Sequence, residues 1–162
     1  MNDRALADTA VRLKEVDRAG WKRIGVTHPE SVAAHSWGVA LLALLRCPPH
    51  LDRHKLLAMA VLHDLAEVLV GDLTPHDGVS KAEKRRREAA AMDQLLAARP
   101  DLRAIWDEAE AGESEEARLL KSLDRAEMGV QAGRYAELGF DVSEFLASAD
   151  ESMAVILGDV SR

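Results

Sequence analysis

The stretch Lys55-Leu-Leu-Ala-Met-Ala-Val-Leu-His-Asp-Leu-Ala-Glu-Val-Leu-Val-Gly-Asp72 decides the fold of this chain. It predicts a helix that is apolar almost all the way round, and such a helix is normally buried in the middle of a fold. His63, Asp64 and Glu67 nevertheless lie in it, within about one turn of each other. Ionisable groups at that depth are costly unless they are paired or bound to a metal. The stretch therefore predicts a buried central helix that carries part of a metal site.

The remainder of the chain predicts an all-α fold of about six or seven helices, because β-branched and aromatic residues are sparse and no stretch alternates with period two. Ser31 and Ser80 are suitable N-caps, and Pro49, Gly71 and Gly139 are typical of helix ends. Residues 18–21 are predicted to end the first helix in a turn. The predicted helices cover about 5–16, 31–45, 53–70, 80–98, 100–110, 114–138 and 143–157.

Size and charge limit the classes of function. The chain has 162 residues, which predicts a single domain over 1–162, and 48% hydrophobic with 30% charged residues predicts a packed soluble protein. A net charge of −7 disfavours a nucleic-acid polymer or an anionic membrane as the partner. It leaves a small phosphorylated substrate open, because a local metal ion or arginine can outweigh the overall sign.

The compartment is predicted from cysteine usage and from the absence of apolar segments. Cys47 is the single cysteine, so no intrachain disulfide can form and a reducing compartment is favoured. The chain does not start with basic residues followed by an apolar run, and no apolar stretch is long enough to span a bilayer. We expect a cytoplasmic protein.

Further metal ligands must come from other helices, since adjacent residues on a helix point about 100° apart and His63 and Asp64 alone cannot enclose an ion. His35 begins an otherwise apolar helix, and Asp124 borders the apolar stripe of another. Taken singly, such a histidine is more often a hydrogen-bonded core residue and such an aspartate a salt-bridge partner. Together, His35, His63, Asp64 and Asp124 predict a site for one divalent ion of the Mn, Co, Fe or Zn type.

Four residues near this site have two interpretations each. Glu67 could activate or steer a water, or it could orient His63, and the sequence favours neither. Asp72 fits a turn residue better than a catalytic one on local pattern alone. Arg18 could bind a phosphate, but the simpler interpretation is a charged surface residue. Trp21 could contact a base or sugar, but the simpler interpretation is a core residue. The basic run 84–87 is predicted to be a solvated helix face.

The order and spacing of these motifs resemble a known family. His35, His63-Asp64 and Asp124 are similar to the HD-domain metal-dependent phosphohydrolases. Five stretches resemble the 5′-deoxynucleotidase branch of that family: Arg18-Ala-Gly-Trp21, Pro29-Glu-Ser-Val-Ala-Ala-His35, Leu62-His-Asp-Leu-Ala-Glu67, Gly71-Asp-Leu-Thr-Pro75 and Leu123-Asp-Arg-Ala-Glu-Met128. The resemblance covers about residues 5 to 140.

The resemblance implies an all-helical HD domain that hydrolyses deoxyribonucleoside 5′-monophosphates to deoxynucleoside and phosphate, and that forms a homodimer. It places the metal at His35, His63, Asp64 and Asp124. It also implies that Glu67 activates the water with help from Asp72, that Arg18 binds the phosphate, and that Trp21 crowds the sugar 2′ position. Bacterial members place the arginine directly before the tryptophan, whereas Ala19 and Gly20 intervene here, so Arg23 is an alternative phosphate ligand.

Three alternatives stay open at this point. An HD-type di-iron oxygenase needs extra histidines after the His-Asp pair, and the single later histidine, His76, lies in a predicted loop, which disfavours that chemistry. A nucleotide-binding HD module without turnover would have no use for Glu67 and Asp72. An HD phosphohydrolase acting on another small phosphoester is compatible with the same residues.

Overall fold

The computed structural model describes residues 1–158, and helices form nearly all of their regular structure. The bounds of the α-helices are Asp3–Ala10 (α1), Ala19–Arg23 (α2), Val32–Arg46 (α3), Arg53–Leu62 (α4), Glu67–Val70 (α5), Lys81–Leu95 (α6), Pro100–Ala111 (α7), Glu115–Glu137 (α8) and Ser143–Leu157 (α9), with 3₁₀ helices at Val11–Glu15 and Pro75–Asp77. The all-α prediction is confirmed. Residues 159–162, which the predicted single domain includes, lie outside the described residues.

Helix caps form where the sequence predicts them. The hydroxyls of Ser31, Ser80 and Ser114 accept hydrogen bonds from backbone N–H groups in the first turns of α3, α6 and α8. Gly71 ends α5 with φ of 78°, a conformation that glycine adopts without the steric cost of a Cβ atom.

The predicted central helix over 53–70 is wrong in one respect, because it is divided. α4 ends at Leu62 and α5 begins at Glu67, with a turn between them. Within that turn the backbone N–H groups of Leu65 and Glu67 bond to carbonyls three residues earlier, at 3.1 and 3.0 Å. This tighter winding is typical of 3₁₀ structure, which in mid-helix often marks a functional segment. His63 and Asp64 therefore lie at the end of one helix, and Glu67 opens the next.

The turn predicted at residues 18–21 is a short helix, α2, with Arg18 at its N-cap and Trp21 inside it. The described part of the chain has one strand-like pairing, an isolated antiparallel bridge between Asp17 and Ser31. Through this bridge Arg18 N–H donates to the Glu30 carbonyl at 3.1 Å. The bridge thereby holds Arg18 beside the start of α3. Together with the division of 53–70, α2 raises the number of α-helices above the predicted six or seven, to nine in residues 1–158.

Three apolar clusters stabilise the helices around the predicted metal residues. The first joins α3, α4, α8 and α9 through Val39, Leu56, Met59 and Leu123 among others. The second joins the N-terminal segment to α5, α6 and α7, and the third surrounds Trp21. No helix among residues 1–158 is both long enough and apolar enough to cross a membrane.

Candidate metal centre and substrate pocket

Three helices bring the four predicted metal residues to one place. His35 lies in the first turn of α3, His63 and Asp64 follow the last turn of α4, and Asp124 lies midway along α8. The Nε2 atom of His35 is 3.0 Å from Asp124 Oδ1 and 3.8 Å from Asp64 Oδ2. His63 Nε2 is 3.2 Å from Asp64 Oδ2. One ligand atom from each of His35, His63 and Asp64 lies within 4.8 Å of the others.

Both imidazoles are held by their Nδ1 atoms. His63 Nδ1 lies 2.8 Å from the Ala60 carbonyl oxygen, and His35 Nδ1 lies 2.6 Å from Glu127 Oε2. The two Nε2 atoms are buried and lack a hydrogen bond of good geometry, although carboxylate oxygens are close. Buried polar atoms without a partner are rare in folded proteins and call for an explanation such as a bound ion. The donor set, two imidazole nitrogens with two carboxylates, suits a borderline divalent ion.

Charge coupling within the cluster shifts its pKa values. Burial alone would lower the pKa of His35, but its contacts with Asp124 and Glu127 raise that pKa to about 10. Burial alone would raise the pKa of Asp64, but the charges of His63 and Arg18 hold it well below its usual range. The imidazolium form of His35 is therefore favoured in the protein alone, and a metal ion would compete with the Nε2 proton for the same lone pair. Binding of a metal ion at this cluster stays a prediction.

A cavity of about 380 Å³ opens beside the cluster. Its volume is in the range of pockets that enclose a small organic ligand, about 300–1,000 Å³. All of the predicted catalytic and substrate-binding residues line it, together with two of the four predicted metal residues. Its charged and aromatic lining residues include Arg18, Trp21, Arg23, Asp64, Glu67, Asp72, His76, Lys84, Asp124, Glu144 and Phe145.

Glu67 is 2% exposed at the first position of α5. Its Oε1 atom lies 3.7 Å from Lys84 Nζ, and its Oε2 atom is buried without a hydrogen-bond partner. Burial and the charges of Asp64 and Asp72 raise the pKa of Glu67 to about 10, while Lys84 and Arg18 act in the opposite direction. Nothing in this arrangement ties Glu67 to His63, whose Nδ1 is held by a backbone carbonyl. With this pKa the carboxyl group is protonated at neutral pH, and it can accept a proton only where a nearby cation stabilises its ionised form.

Asp72 is not the turn residue that local pattern favours. Thr74 and Asp77 form the capping box of the following 3₁₀ helix, with Asp77 Oδ2 accepting from the Thr74 backbone at 2.6 Å. Asp72 Oδ2 instead accepts a hydrogen bond of 2.8 Å from the backbone N–H of Ala19. Asp72 therefore joins the segment after α5 to the start of α2, and it lines the cavity.

The two candidate phosphate ligands occupy different parts of the cavity. Arg18 is largely buried, and its guanidinium lies 3.4 Å from Asp64 Oδ2. Burial alone would lower the pKa of Arg18, but the charges of Asp64 and Asp72 raise it. Arg23 is more exposed and pairs with Glu144 of α9. The arginine next to the predicted metal residues is therefore Arg18.

Trp21 is both a core residue and a wall of the cavity. Its ring is 1% exposed and packs against Phe145 and Tyr135 at centroid distances of 4.2 and 5.0 Å. Its Nε1–H donates to Glu30 Oε1 at 2.9 Å. The aromatic packing and this hydrogen bond fix the plane of the ring that a ligand in the cavity would meet.

The interpretation of the basic run 84–87 as a solvated helix face is wrong for Lys84. Arg85, Arg86 and Arg87 are exposed, but Lys84 turns inward from α6. Its Nζ donates to the Leu73 carbonyl at 3.0 Å and reaches Glu67 and Glu88 at 3.7 and 3.4 Å. The sequence does not distinguish Lys84 from its neighbours, because Lys84 is four residues from Glu88 and the exposed Arg87 is likewise four residues from Glu83. Two further residues that the sequence does not predict, Glu30 and Glu127, lie beside His35. No local sequence pattern marks Glu30 as part of the site.

Comparison with known proteins identifies the family of this chain. A profile described as HD domain matches residues 10–157. The 5′-deoxynucleotidase HDDC2 of Bos taurus is 41% identical over 132 residues, covering 78% of this chain and 64% of the relative. The chain thus spans slightly less than two thirds of the length of this curated relative.

Solved structures agree with the fold. The crystal structure of the PH0347 protein from Pyrococcus horikoshii OT3 matches with a TM-score of 0.83 and 30% identity, covering 96% of this chain and 94% of that one. The cyanophage S-2L HD phosphohydrolase DatZ, solved with dA and one catalytic Zn²⁺ ion, matches with a TM-score of 0.56 and 28% identity over 77% of this chain and 69% of that one. The resemblance found in the sequence is confirmed at the level of the family.

Proposed function

This chain belongs to the HD domain family, and from that premise we propose that it is a metal-dependent 5′-deoxynucleotidase, which cleaves deoxyribonucleoside 5′-monophosphates into deoxynucleoside and phosphate. The observation that carries the proposal is the convergence of two buried Nε2 atoms, on His35 and His63, with carboxylate oxygens close by but no hydrogen bond of good geometry, beside a cavity of about 380 Å³. The similarity to a relative named as a 5′-deoxynucleotidase supports the substrate class.

We assign the metal to His35, His63, Asp64 and Asp124, whose side chains converge from three helices. A bound divalent ion would polarise a phosphate oxygen and lower the pKa of a water. The Nδ1 contacts of the two histidines keep their Nε2 atoms facing the cluster. Ions of the Mn, Co, Fe and Zn types all fit this donor set.

The remaining residues bind the substrate and move a proton. Arg18, held by Asp64, presents a forked cation to the phosphate end of the cavity. Trp21 closes the side where a sugar 2′-hydroxyl would project. A divalent ion bound beside Asp64 would favour the ionised form of Glu67, and its Oε2 atom, which has no other partner, would then accept the proton of the attacking water. Asp72 keeps α2 and the segment after α5 together and adds a second carboxylate to the cavity wall.

A panel of 5′-mononucleotides, assayed for phosphate release with Mn²⁺, Co²⁺ and Zn²⁺, tests the proposal. Deoxyribonucleotides should be hydrolysed faster than the matching ribonucleotides, and removal of the metal with a chelator should abolish turnover. Binding of dAMP without phosphate release would support a nucleotide-binding module. Release from a different class of phosphoester only would support the other hydrolase alternative.

We further propose that the protein is a homodimer that pairs through the outer face of α3. Trp37, Leu41, Leu44 and Leu45 are 69%, 39%, 49% and 67% exposed along this face. A contiguous apolar stripe of this kind is uncommon on a monomer. Light scattering on a sizing column should give the mass of a dimer for the wild type, and Leu45→Glu should shift it to that of a monomer. We place the protein in the cytoplasm, in line with its single cysteine, and fractionation of cells tests this.

A further inference from the structure

Glu127 contacts His35 on the side of the ring that faces away from Asp124. Its Oε2 atom lies 2.6 Å from His35 Nδ1, His35 is fully buried, and the Glu127 side chain is 13% exposed. Asp124 and Glu127 are three residues apart on α8, so both point to the same face of the helix. One helix therefore supplies a carboxylate to each nitrogen of the same imidazole.

Gly38 leaves room for this carboxylate. It lies three residues after His35 on α3, and a Cβ atom added to it would overlap Glu127 Oε1 and would lie 2.8 Å from Glu127 Cγ. Such separations are far inside van der Waals contact, so any side chain at position 38 would displace Glu127 from His35. The lack of a side chain at Gly38 therefore allows Glu127 to reach His35.

In the neutral form of His35, which is the form that can bind a metal ion, the contact decides which nitrogen carries the lone pair. The carboxylate oxygen of Glu127 accepts, so Nδ1 donates and Nε2 is left to face Asp64 and Asp124. His63 reaches the same state through a backbone carbonyl, which can only accept. The two histidines therefore use different acceptors to present the same nitrogen.

We propose that Glu127 is a positioning residue of the metal centre, which fixes the tautomer and orientation of His35 and thereby sets the affinity for the metal. This inference rests on the proposed function, because it takes His35 as a metal ligand. Hydrogen-bonded partners of metal-binding histidines typically contribute about 10–100-fold to metal affinity.

A second metal site at Glu30, His35 and Glu127 is the competing interpretation, since their ligand atoms lie within 4.8 Å of one another. Two contacts argue against it. Glu30 Oε1 already accepts from the Trp21 indole at 2.9 Å, and the 2.6 Å contact of Glu127 occupies His35 Nδ1. Glu30 and Glu127 therefore each accept a hydrogen bond from a ring N–H group, Glu30 from Trp21 and Glu127 from His35, and are not free to bind a second metal ion.

The test is a titration of the purified full chain with Mn²⁺, in wild type and in Glu127→Ala, Glu127→Gln and Gly38→Ala. We expect one Mn²⁺ per chain, bound about 10–100-fold more weakly by Glu127→Ala. Glu127→Gln should lose less, because its amide oxygen still accepts from Nδ1–H. Gly38→Ala should bind weakly although it keeps the carboxylate. Glu137→Ala, an exposed glutamate at the end of α8, is the matched control and should bind as the wild type does.

The tautomer itself can be observed. In the Zn²⁺-loaded protein, long-range ¹H–¹⁵N spectra of the histidine rings should show His35 protonated at Nδ1, with the Nδ1–H proton resonance further downfield in the wild type than in Glu127→Ala, a difference that a merely structural role would not produce. Wild-type affinity in a folded Glu127→Ala, equal losses in Glu127→Ala and Glu127→Gln, or two Mn²⁺ per wild-type chain would each overturn the inference. Should Glu127→Ala not fold, the other two variants carry the same comparison.

The outcome is separable from that of the proposed function. Metal binding that depends on Glu127, in a protein that releases no phosphate from any nucleotide, would leave the inference standing and remove the proposed activity. Hydrolysis of nucleotides by a protein whose metal affinity does not depend on Glu127 would support the proposed activity and overturn the inference.

Discussion

The Nδ1 atom of His63 lies 2.8 Å from the carbonyl oxygen of Ala60, one turn earlier on α4. Because a carbonyl oxygen can only accept, this nitrogen is protonated, and the lone pair of His63 is on Nε2, which is buried beside Asp64. The helix that positions the ring thus also selects its tautomer.

His63→Ala should therefore remove the metal from the protein, since one of its two imidazole donors is lost. Elemental analysis of the purified variant should find little divalent metal compared with the wild type. His54→Ala, which changes an exposed histidine of the same helix, should retain it. Stoichiometric metal in a folded His63→Ala would show that the site lies elsewhere.

Glu67→Gln should keep the metal and lose most of the rate. The amide preserves the shape of a buried side chain that has one unpartnered oxygen, but it cannot accept the proton of a water. A positioned general base typically contributes about 10²–10⁴-fold, and kcat on dAMP should fall within that range. Glu137→Gln on the exposed end of α8 should be silent. Unchanged turnover with full metal content would remove the role of Glu67.

Lys84→Met should shift the acidic limb of the pH–rate profile to higher pH. The ammonium group lies 3.7 Å from Glu67 Oε1 and lowers the pKa of that carboxyl, so its loss raises the pKa further and leaves less ionised Glu67 at neutral pH. The rate at pH 7 should fall and recover in part as the pH rises. The profile of kcat/KM against pH measures this.

Arg86→Met is the control for Lys84→Met, because Arg86 is exposed on the same helix and pairs with Glu83. Its profile should coincide with that of the wild type. An acidic limb at the same pH in Lys84→Met and wild type would show that Lys84 only anchors the Leu73 carbonyl.

Local signals predicted most of the fold. Ser31, Ser80 and Ser114 begin helices, and Gly71 and Gly139 follow helix ends, because capping and positive φ are determined by a few neighbouring residues. The division of the central helix left no such signal, since 63–66 contains neither glycine nor proline. The sequence does not predict α2, because Gly20 is typical of a helix C-cap but lies inside this five-residue helix.

The site could be predicted only where its residues stand out against apolar neighbours. His35, His63, Asp64 and Asp124 do so, and the structure brings them together. Glu127 and Lys84 look like ordinary helix-surface charges. Their partners His35 and Leu73 are 92 and 11 residues away, so the contacts depend on how α3, α6 and α8 pack.

Trp21→Phe should weaken the preference for deoxyribose. The indole packs on Phe145 at 4.2 Å and is held in plane by its bond to Glu30, so it presents a fixed wall to the cavity. A phenyl ring keeps the core filled but is smaller and lacks the N–H, which leaves space for a 2′-hydroxyl. The ratio of kcat/KM for dAMP over AMP should fall about 10-fold or more, mainly through faster AMP hydrolysis, since steric exclusion of one small group is worth about 10–200-fold. Trp37→Phe, which alters an exposed tryptophan of α3, should leave the ratio unchanged. A wild-type ratio in a folded, metal-loaded Trp21→Phe would mean that another part of the cavity distinguishes the two sugars.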